Sequence, residues 1–416
     1  MRKTNWKVCM FLCMSLLSWL GFSLELAKDG KTDYVIVCGN QGRHMEVRLV
    51  RESAADLAVL LKQSTGADFK IIEPREAGNC KKRIFVGHSD AMLKLLKEAG
   101  KYKTPVNEER VILTLGDDLF LYGGGFGDGF AVSHFLTEVL GFRFYHYWGD
   151  SRIPECKNLK TGDLNLVFRP SFEYRDLAQS GFNLRGCESA GAFFRRNALH
   201  NNSLIPFNMP GNMTHSYSCL IPPTKNYREA YQFLKDKEYF VTNPEFFPLS
   251  ADGKREWKGR HRCFSNPGLR AEMNRNVEQL LITSRCKPTD NIVVNISHDD
   301  VDCKFCYCKD CVALEKQYGA PGGPLYDYLI NSASPYFAEK YPNLIIRFLA
   351  YGRLSTEIPP RPEALKGGKL PANLMPYLAF LTADFNKPIN APSNKFIFDC
   401  FNAWGKISQR MSSYFY

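Results

Sequence analysis

Residues 291–311, NIVVNISHDDVDCKFCYCKDC, join an apolar run to acidic and cysteine residues. The run at 292–296 is short and rich in β-branched side chains, which predicts a buried strand. It ends at His298, Asp299 and Asp300, where two carboxylates follow an imidazole. Barrel enzymes carry their reacting groups at the C-terminal ends of parallel strands. This stretch therefore predicts a barrel strand that delivers two carboxylates to an active site.

The composition is that of a folded globular protein. The 416 residues are enough for two domains, and 44% of them are hydrophobic and 23% charged. The aromatic content of 13% fits either sugar-stacking surfaces or an ordinary aromatic core. The net charge of +11 is not gathered into a basic arm or stripe, so no nucleic acid partner is expected.

The first 23 residues have the layout of a secretory signal. Arg2, Lys3 and Lys7 precede an apolar segment at 8–20 that is too short to span a bilayer. Gly21 and Ser23 place small residues where a signal peptidase cleaves. We therefore expect a secreted or periplasmic protein without a membrane span, in which disulfides are permitted.

Residues 31–168 predict a small α/β accessory domain. Its strands are predicted at 34–37, 69–72 and 83–87, with a hairpin around 116–118 and helices at 53–64 and 131–140. Ser53 is the expected cap of the first helix, and Gly66 its end. The glycine run at 123–129 lacks the Lys-Ser/Thr pair of a triphosphate-binding loop, so it predicts a tight strand-to-helix turn.

Residues 171–416 alternate predicted strands and helices, as a (β/α)8 barrel does. Strands are predicted at 172–177, 291–297, 344–351, 375–383 and 414–416, and helices at 188–200, 268–285, 325–340 and 396–411. Six or seven strands are expected before the sequence stops. The TIM-like barrel is therefore expected to be incomplete at its C-terminus, as in a fragment of a longer protein. The loop-rich stretch 206–267 is expected to be functional.

Short motifs along the chain resemble known families. The motifs at 65–67, 129–136 and 140–144 are similar to the N-terminal domain of α-glucuronidases and hexosaminidase-type enzymes. The ordered set at 215–217, 222–223, 243–247, 262–267, 297–300, 306–311 and 349–351 resembles a bacterial family, domain of unknown function 4838. Some of its members form glycoside hydrolase family 163, endo-β-N-acetylglucosaminidases that act on N-glycans. The resemblance covers about residues 40–416, with departures at Asn243, Asp299 and Cys303.

The resemblance implies a secreted glycoside hydrolase acting on an oligosaccharide or glycoprotein glycan. It would cleave β-linked N-acetylglucosamine with retention, with the acetamido group of the substrate as internal nucleophile. One carboxylate then holds the amide N–H and a second serves as acid and base. Asp300 is expected to be the acid and base, Asp299 its orienting partner, and Glu245 a competing proton donor. The plain alternatives are a turn cap at the two aspartates and a loop anchor at Glu245.

Further residues are expected to bind the sugar. The expected substrate-binding residues are His298, His215, Tyr351, Arg175, Trp257 and Tyr217. The first four would form hydrogen bonds, Arg175 from the first barrel strand, and the two aromatic residues would stack on sugar faces. Structural hydrogen bonds and loop packing remain the alternatives. Two other functions stay open, an α-glucuronidase-type exo-hydrolase with separated carboxylates and a glycan-binding protein without catalysis.

Four cysteines follow the two aspartates, namely Cys303, Cys306, Cys308 and Cys311. Structural zinc sites usually combine two C-x2-C pairs set well apart, whereas these four fall within nine residues. Disulfides or a group of thiols, a structural zinc site and a catalytic metal are the alternatives. The sequence contains no H-E-x-x-H motif, and no cofactor is expected.

Overall fold

The computed structural model describes residues 23–146, 149–176, 190–200, 207–212, 214–258 and 260–415. The predicted signal segment lies outside the described residues, apart from Ser23. No helix in the described part of the chain is both long and apolar enough to cross a membrane. The chain divides into two compact units, Met1–Pro206 and Phe207–Tyr416. The domain boundary predicted at residues 168–171 thus falls inside the first unit.

The first unit is an α/β layer structure built on a mixed sheet. Its strands are β1 (Leu24–Glu25), β2 (Val35–Cys38), β3 (Lys70–Ile72), β4 (Arg83–Val86), β5 (Arg110–Leu115), β6 (Asp118–Gly123), β7 (Arg143–Phe144), β8 (Ser151–Arg152), β9 (Lys160–Thr161) and β10 (Asn165–Phe168). Its helices are α1 (His44–Thr65), α2 (Asp90–Glu98), α3 (Gly127–His134) and α4 (Ala190–Arg196). The main sheet has the order β10-β5-β6-β4-β2-β3. Strands β3, β2, β4 and β6 are parallel, β5 pairs antiparallel with β6, and β10 pairs antiparallel with β5.

Helix α1 starts nine residues before the predicted position, so the predicted cap at Ser53 is wrong. Ser53 is buried in the middle of the helix. The helix begins at His44 because the carboxylate of Glu46 accepts the backbone N–H of Arg43 at 2.7 Å. Gly66 ends the helix as expected, with a left-handed φ of 80°.

The glycine run is the strand-to-helix turn that the sequence predicts. Strand β6 ends at Gly123 and α3 starts at Gly127. A side chain at Gly124 would place its Cβ 1.9 Å from the carbonyl oxygen of Asn107, and one at Gly123 would lie 2.2 Å from that of Glu109. The glycines are therefore required by the close approach of the 107–109 backbone, which is a packing requirement.

The second unit contains a four-stranded parallel sheet with helices between its strands. The strands are β11 (Ile292–Asn295), β12 (Leu344–Ala350), β13 (Leu374–Ala379) and β14 (Ser412–Tyr414). The helices are α5 (Tyr217–Leu220), α6 (Tyr239–Thr242), α7 (Pro267–Thr283), α8 (Lys309–Tyr318), α9 (Gly323–Tyr328), α10 (Ser334–Lys340) and α11 (Lys395–Ile407). A π-helical segment at Leu329–Ala333 joins α9 and α10. The strands pair in chain order with all directions the same.

This sheet supplies half of the eight strands of a closed barrel. The described residues of the second unit contain no further strand in this sheet, so the expected six or seven strands are not observed there. The strand predicted at 172–177 is wrong over residues 172–176, which form bends and irregular backbone in the first unit. Asn208 extends the sheet by a single parallel bridge to Ile292, next to β11.

The two faces of the second sheet differ in chemistry. One face packs against the helices, with Val294, Phe348 and the fully buried Trp404 in the same apolar core. The other face carries polar residues among its apolar ones. There the guanidinium of Arg347 donates to Asn295 at 2.8 Å and lies 4.4 Å from the ring centroid of Tyr377. A buried arginine on this face gives it a charge that an ordinary sheet core would not contain.

Candidate active site at the end of strand β11

The chain beyond β11 is held against the segment that leads into α5. The backbone N–H of Ser216 donates to the carbonyl oxygen of Ser297 at 2.9 Å. In return, the hydroxyl of Ser216 accepts the N–H of Ser297 at 3.0 Å and donates to the carbonyl oxygen of Asn295 at 3.0 Å. These reciprocal bonds leave His298, Asp299 and the start of α5 side by side.

Asp299 is held on three sides. Its Oδ1 accepts the backbone N–H of Ser218 at 3.2 Å, and its Oδ2 accepts the hydroxyl of Ser218 at 2.5 Å. The guanidinium of Arg262 lies 3.8 Å from Oδ2. The side chain remains 22% exposed, so it is fixed in orientation and still reachable from solvent.

Arg262 is the buried cation of this region. It is fully buried, donates to the hydroxyl of Ser218 at 3.0 Å and to the carbonyl oxygen of Ile221 at 3.1 Å, and lies 4.7 Å from the ring centroid of Phe247. Burial lowers the pKa of the guanidinium, and the charge of Asp299 acts in the opposite direction. A buried arginine needs such compensation, so Arg262 and Asp299 form one electrostatic unit through Ser218.

Asp300 points to a different environment. It is exposed, and its Oδ1 accepts the hydroxyl of Tyr351 at 3.1 Å. Tyr351 follows the end of β12, and its ring stacks on His298 with centroids 5.6 Å apart and planes at 16°. The carboxylate of Asp299 is therefore fixed, whereas that of the neighbouring Asp300 is exposed and hydrogen-bonded to the phenol of Tyr351.

His298 is fully buried between these groups. Its Nδ1 lies 2.9 Å from the carbonyl oxygen of Asp299, which can only accept, so Nδ1 carries the proton of the neutral ring. Nε2 lies 3.0 Å from the hydroxyl of Thr356. Burial lowers the pKa of His298 to about 4, so the ring is neutral at physiological pH. Its fully buried position makes it a support for Tyr351 and Asp299 instead of a direct sugar contact.

His215 and Trp257 lie at the border of this region. His215 is partly exposed, and its Nδ1 donates to the carbonyl oxygen of His298 at 2.9 Å. Trp257 is also partly exposed and meets Tyr227 edge to face, with centroids 6.2 Å apart. Burial raises the pKa of Tyr227, whose hydroxyl has Ser218 as a hydrogen-bonding neighbour. Tyr227 thus links Trp257 to the residue that holds Asp299.

Tyr217 cannot stack on a sugar in this structure, because its ring is fully buried and meets Phe264 edge to face at 5.1 Å. Its hydroxyl has no hydrogen-bond partner among the described residues. Burial raises its pKa well above the usual value, and the charge of Asp299 raises it further. The expected stacking role is therefore corrected to a core position behind Asp299.

Glu245 is placed on an exposed 3-10 turn, Pro244–Phe246. Its carboxylate accepts the side-chain amide of Asn243 at 3.4 Å, which is a contact within the loop itself. The same turn is anchored where the carbonyl oxygen of Phe246 accepts the N–H of Cys263 at 2.9 Å. Among the described residues, no hydrogen bond or ion pair joins Glu245 to either aspartate. The contact with Asn243 is what the loop-anchor alternative expects, and the proton-donor role of Glu245 stays a prediction.

Arg175 belongs to the first unit, where its guanidinium donates to Glu108 at 2.5 Å and to the carbonyl oxygen of Ala198 at 3.1 Å. His200 is the second partner of Glu108. Burial by itself would raise the pKa of Glu108, but the hydrogen bonds from His200 and Arg175 outweigh it and lower the pKa. The predicted place of Arg175 on a barrel strand is wrong, because the ion pair anchors it within the first unit.

Three residues of the region are not among the sequence-based candidates. They are Ser218, Arg262 and Glu357. Glu357 is buried a few residues beyond the end of β12, with Oε1 accepting the hydroxyl of Thr382 at 3.2 Å and Oε2 without a partner among the described residues. Burial raises its pKa. Its position after a predicted strand is a signal that could have identified it, as it did for Asp299 and Asp300.

The cysteine group differs from the predicted one in its membership. The sulfurs of Cys306, Cys308 and Cys311 cluster with that of Cys263, and all four lie within 4.8 Å of one another. The described cysteines are free thiols, so the disulfide alternative is not observed among them. Cys303 is not a member of this group, and its carbonyl oxygen accepts a hydrogen bond from Nε2 of His261 at 2.9 Å.

The geometry therefore defines an α/β protein whose second unit presents carboxyl groups beyond the ends of parallel strands. Residues 144–416, more than half of the chain, match the family described as "Domain of unknown function (DUF4838)", and the chain belongs to this family. No curated protein matches the chain in sequence.

Solved structures similar to the chain include three glycoside hydrolases. One is a family 115 4-O-methyl-α-glucuronidase with specificity for decorated arabinogalactans, with 13% identity, a TM-score of 0.48, and coverage of 94% of this chain and 54% of that one. A family 138 enzyme targeting pectin rhamnogalacturonan II has 11% identity, a TM-score of 0.42, and coverage of 90% and 52%. The Flavobacterium johnsoniae chitobiase has 10% identity, a TM-score of 0.40, and coverage of 86% and 54%. The chain spans just over half the length of each.

Proposed function

We propose that this protein is a glycoside hydrolase that cleaves β-linked N-acetylglucosamine in glycans with retention, assisted by the acetamido group of the substrate. The observation that carries the proposal is the difference in environment between the two successive carboxylates beyond β11. Asp299 is held by Ser218 and Arg262, whereas Asp300 is exposed and accepts a hydrogen bond from the hydroxyl of Tyr351. Acetamido-assisted hydrolysis needs one carboxylate that holds the amide N–H of the substrate and a second that serves as acid and base.

Asp299 is proposed as the orienting carboxylate. Its bonds from Ser218 fix the direction of the carboxylate, and the guanidinium of Arg262 places a buried positive charge 3.8 Å from its Oδ2. An ionised carboxylate can accept the N–H of an acetamido group. This turns the amide oxygen towards the anomeric carbon and stabilises the positive charge that develops on the amide as the bond to the leaving group breaks.

Asp300 is proposed as the acid and base. An exposed carboxyl can reach the glycosidic oxygen of a bound glycan, and the substrate itself would exclude water from the group. The Tyr351 hydroxyl would hold the carboxyl in place between the two proton transfers. Asp300 would protonate the leaving oxygen first and then remove a proton from the water that opens the cyclised intermediate.

The border of the region would form the sugar contacts. Partly exposed His215 and Trp257 supply a hydrogen-bonding edge and an aromatic face. Tyr351 and His298 would act together, since the buried imidazole supports the phenol ring by stacking. The proposal includes export of the protein, because the first 23 residues have the layout of a secretory signal.

The experiment that tests the function compares two substrates. The protein is incubated with an N-glycoprotein and, separately, with a glucuronoxylan oligosaccharide, and the products are examined by mass spectrometry. Glycan release that leaves one N-acetylglucosamine on the protein supports the proposal. Release of free uronic acid would replace it by an exo-glucuronidase, and glycan binding without any product would replace it by a binding protein.

Asparagine variants test the residue roles. Asp300→Asn should lower turnover by about 100-fold or more, because proton transfer to the leaving group contributes at least that much. Asp236→Asn, a change of another exposed aspartate of the second unit, is the matched control and should keep the wild-type rate. A near-normal rate for Asp300→Asn with an intact fold would contradict the assignment of the acid and base.

A further inference from the structure

The cysteine cluster joins two segments that are distant in the chain, and the proposed glycoside hydrolysis does not use it. Cys263 lies just after His261 and Arg262, and the other three cysteines follow the two aspartates, with Cys308 capping α8 and Cys311 inside it. We propose that Cys263, Cys306, Cys308 and Cys311 form a structural zinc site. The proposal is independent of the proposed function.

The distances between the sulfurs fit a common tetrahedral centre. The sulfur of Cys263 lies 3.7 Å from those of Cys306 and Cys308 and 3.9 Å from that of Cys311. Zinc bound to thiolates at about 2.3 Å in a tetrahedron separates the sulfurs by about 3.8 Å. One sulfur with three near-equal neighbours fits a shared ion better than a pair of disulfides, in which each sulfur has one bonded partner.

The surroundings of the cluster favour thiolates. Backbone N–H groups point at the sulfurs, from Leu249 to Cys306 at 3.2 Å, from Cys308 to Cys306 at 3.4 Å and from Cys311 to Cys308 at 3.5 Å. The hydroxyl of Ser265 lies 3.2 Å from the sulfur of Cys311 and 3.4 Å from that of Cys308. Hydrogen bonds of this kind stabilise the charge on metal-bound sulfur.

The position of α8 adds to the same effect. Cys308 is the N-cap of this ten-residue helix and Cys311 lies in its first turn. The N-terminus of a helix carries partial positive charge and therefore favours negatively charged ligands. Three of the four cysteines are buried, Cys263 at 3% exposure and Cys306 and Cys311 at 0%. Buried negative sulfurs need a cation among them to offset their charge.

The ligand set selects the metal and its role. Four thiolates in tetrahedral positions select zinc or iron, and four protein ligands leave no open position for a substrate. The site is therefore structural. It fastens the segment with Arg262 to the chain that follows Asp299, and so it holds the pair on which the orientation of that carboxylate depends.

The test measures metal in the intact protein. The wild-type chain, purified without chelators, should contain about one zinc per chain by elemental mass spectrometry. Cys263→Ser should lose most of it and unfold at a lower temperature, because metal binding contributes to folding free energy. Cys303→Ser is the matched control, since Cys303 lies outside the cluster, and it should keep the zinc.

A second measurement avoids any variant that fails to fold. Exchange of the metal of the wild-type protein for cobalt(II) should give the visible bands and sulfur-to-metal charge-transfer absorption of a tetrahedral thiolate site. A native mass that shows no zinc after equilibration with zinc salt would overturn the proposal. A mass lower by two hydrogens for each disulfide would also overturn it, as would loss of zinc in Cys303→Ser with retention in Cys263→Ser.

Discussion

Replacement of His298 by glutamine should remove a large part of the acid sensitivity of the second unit. Burial depresses the pKa of His298 in the folded protein from 6.5 to about 4. A depressed pKa means that the unfolded chain binds the proton more readily. The neutral ring therefore contributes stability that is present above pH 6.5 and is lost as the pH falls towards 4.

The size of the effect follows from the shift. One pKa unit corresponds to about 1.4 kcal/mol, so the full loss below the folded pKa is about 3 kcal/mol. Between pH 7 and pH 5 the loss is about 2 kcal/mol, because at pH 5 the unfolded imidazole is mostly protonated and the folded one mostly neutral. The charges that face the ring are those of Asp299 and His215, with opposite effects on its pKa.

The assay is chemical denaturation at pH 7 and pH 5, followed by tryptophan fluorescence, to which the fully buried Trp404 in the core of the second unit contributes. The wild-type protein should lose about 2 kcal/mol more than His298→Gln between the two values. Tyr351→Phe is the control, since it keeps the ring stacked on His298 and should keep the wild-type pH dependence. Parallel pH dependence in wild type and His298→Gln would refute the reasoning.

Three further predictions concern other residues of the two units. Glu357→Gln should raise the melting temperature, with a gain that grows as the pH rises above 4.5, because burial raises the pKa of Glu357 and its ionisation opposes folding; a gain independent of pH would contradict this. Arg262→Met should cost about 3 kcal/mol in denaturation, because Asp299 and the carbonyl oxygens lose a buried partner, and a loss within experimental error would argue against the pair. Gly124→Ala should destabilise the first unit by about 1–3 kcal/mol through its clash with the 107–109 backbone, whereas Gly162→Ala, in open space, should change its melting temperature little.

Local chemistry was sufficient for much of the fold. The apolar run at 292–296, the helix predicted at 268–285 and the alternation of elements after residue 267 agree closely with the observed bounds, because each pattern is set by neighbouring residues. The start of α1 was missed because Glu46 caps the backbone N–H of Arg43 and overrides the cap expected at Ser53. The short helix α8 was also missed, since its cysteine-rich start has no strong helix signal.

Only part of the candidate site could be predicted from the sequence, because its residues come from separate parts of the chain. Sequence placed Asp299 and Asp300 beyond a strand, and strand geometry by itself does not say that one is fixed and the other exposed. Ser218 and Arg262 lie dozens of residues from Asp299 in the chain and reach it only after folding. Glu245 was selected by its motif, and its side chain lies on an exposed turn.

The sequence by itself determined which residue types are available, with two acids after an apolar strand and four cysteines within the next residues. The tertiary structure decided which of them meet. It brought Cys263 to Cys306, Cys308 and Cys311, left Cys303 outside, and buried Tyr217 behind Asp299. The physical reason is that spacing along a chain fixes contacts within a helix or a strand. Contacts between segments depend on how the burial of apolar surface folds the loops over the sheet.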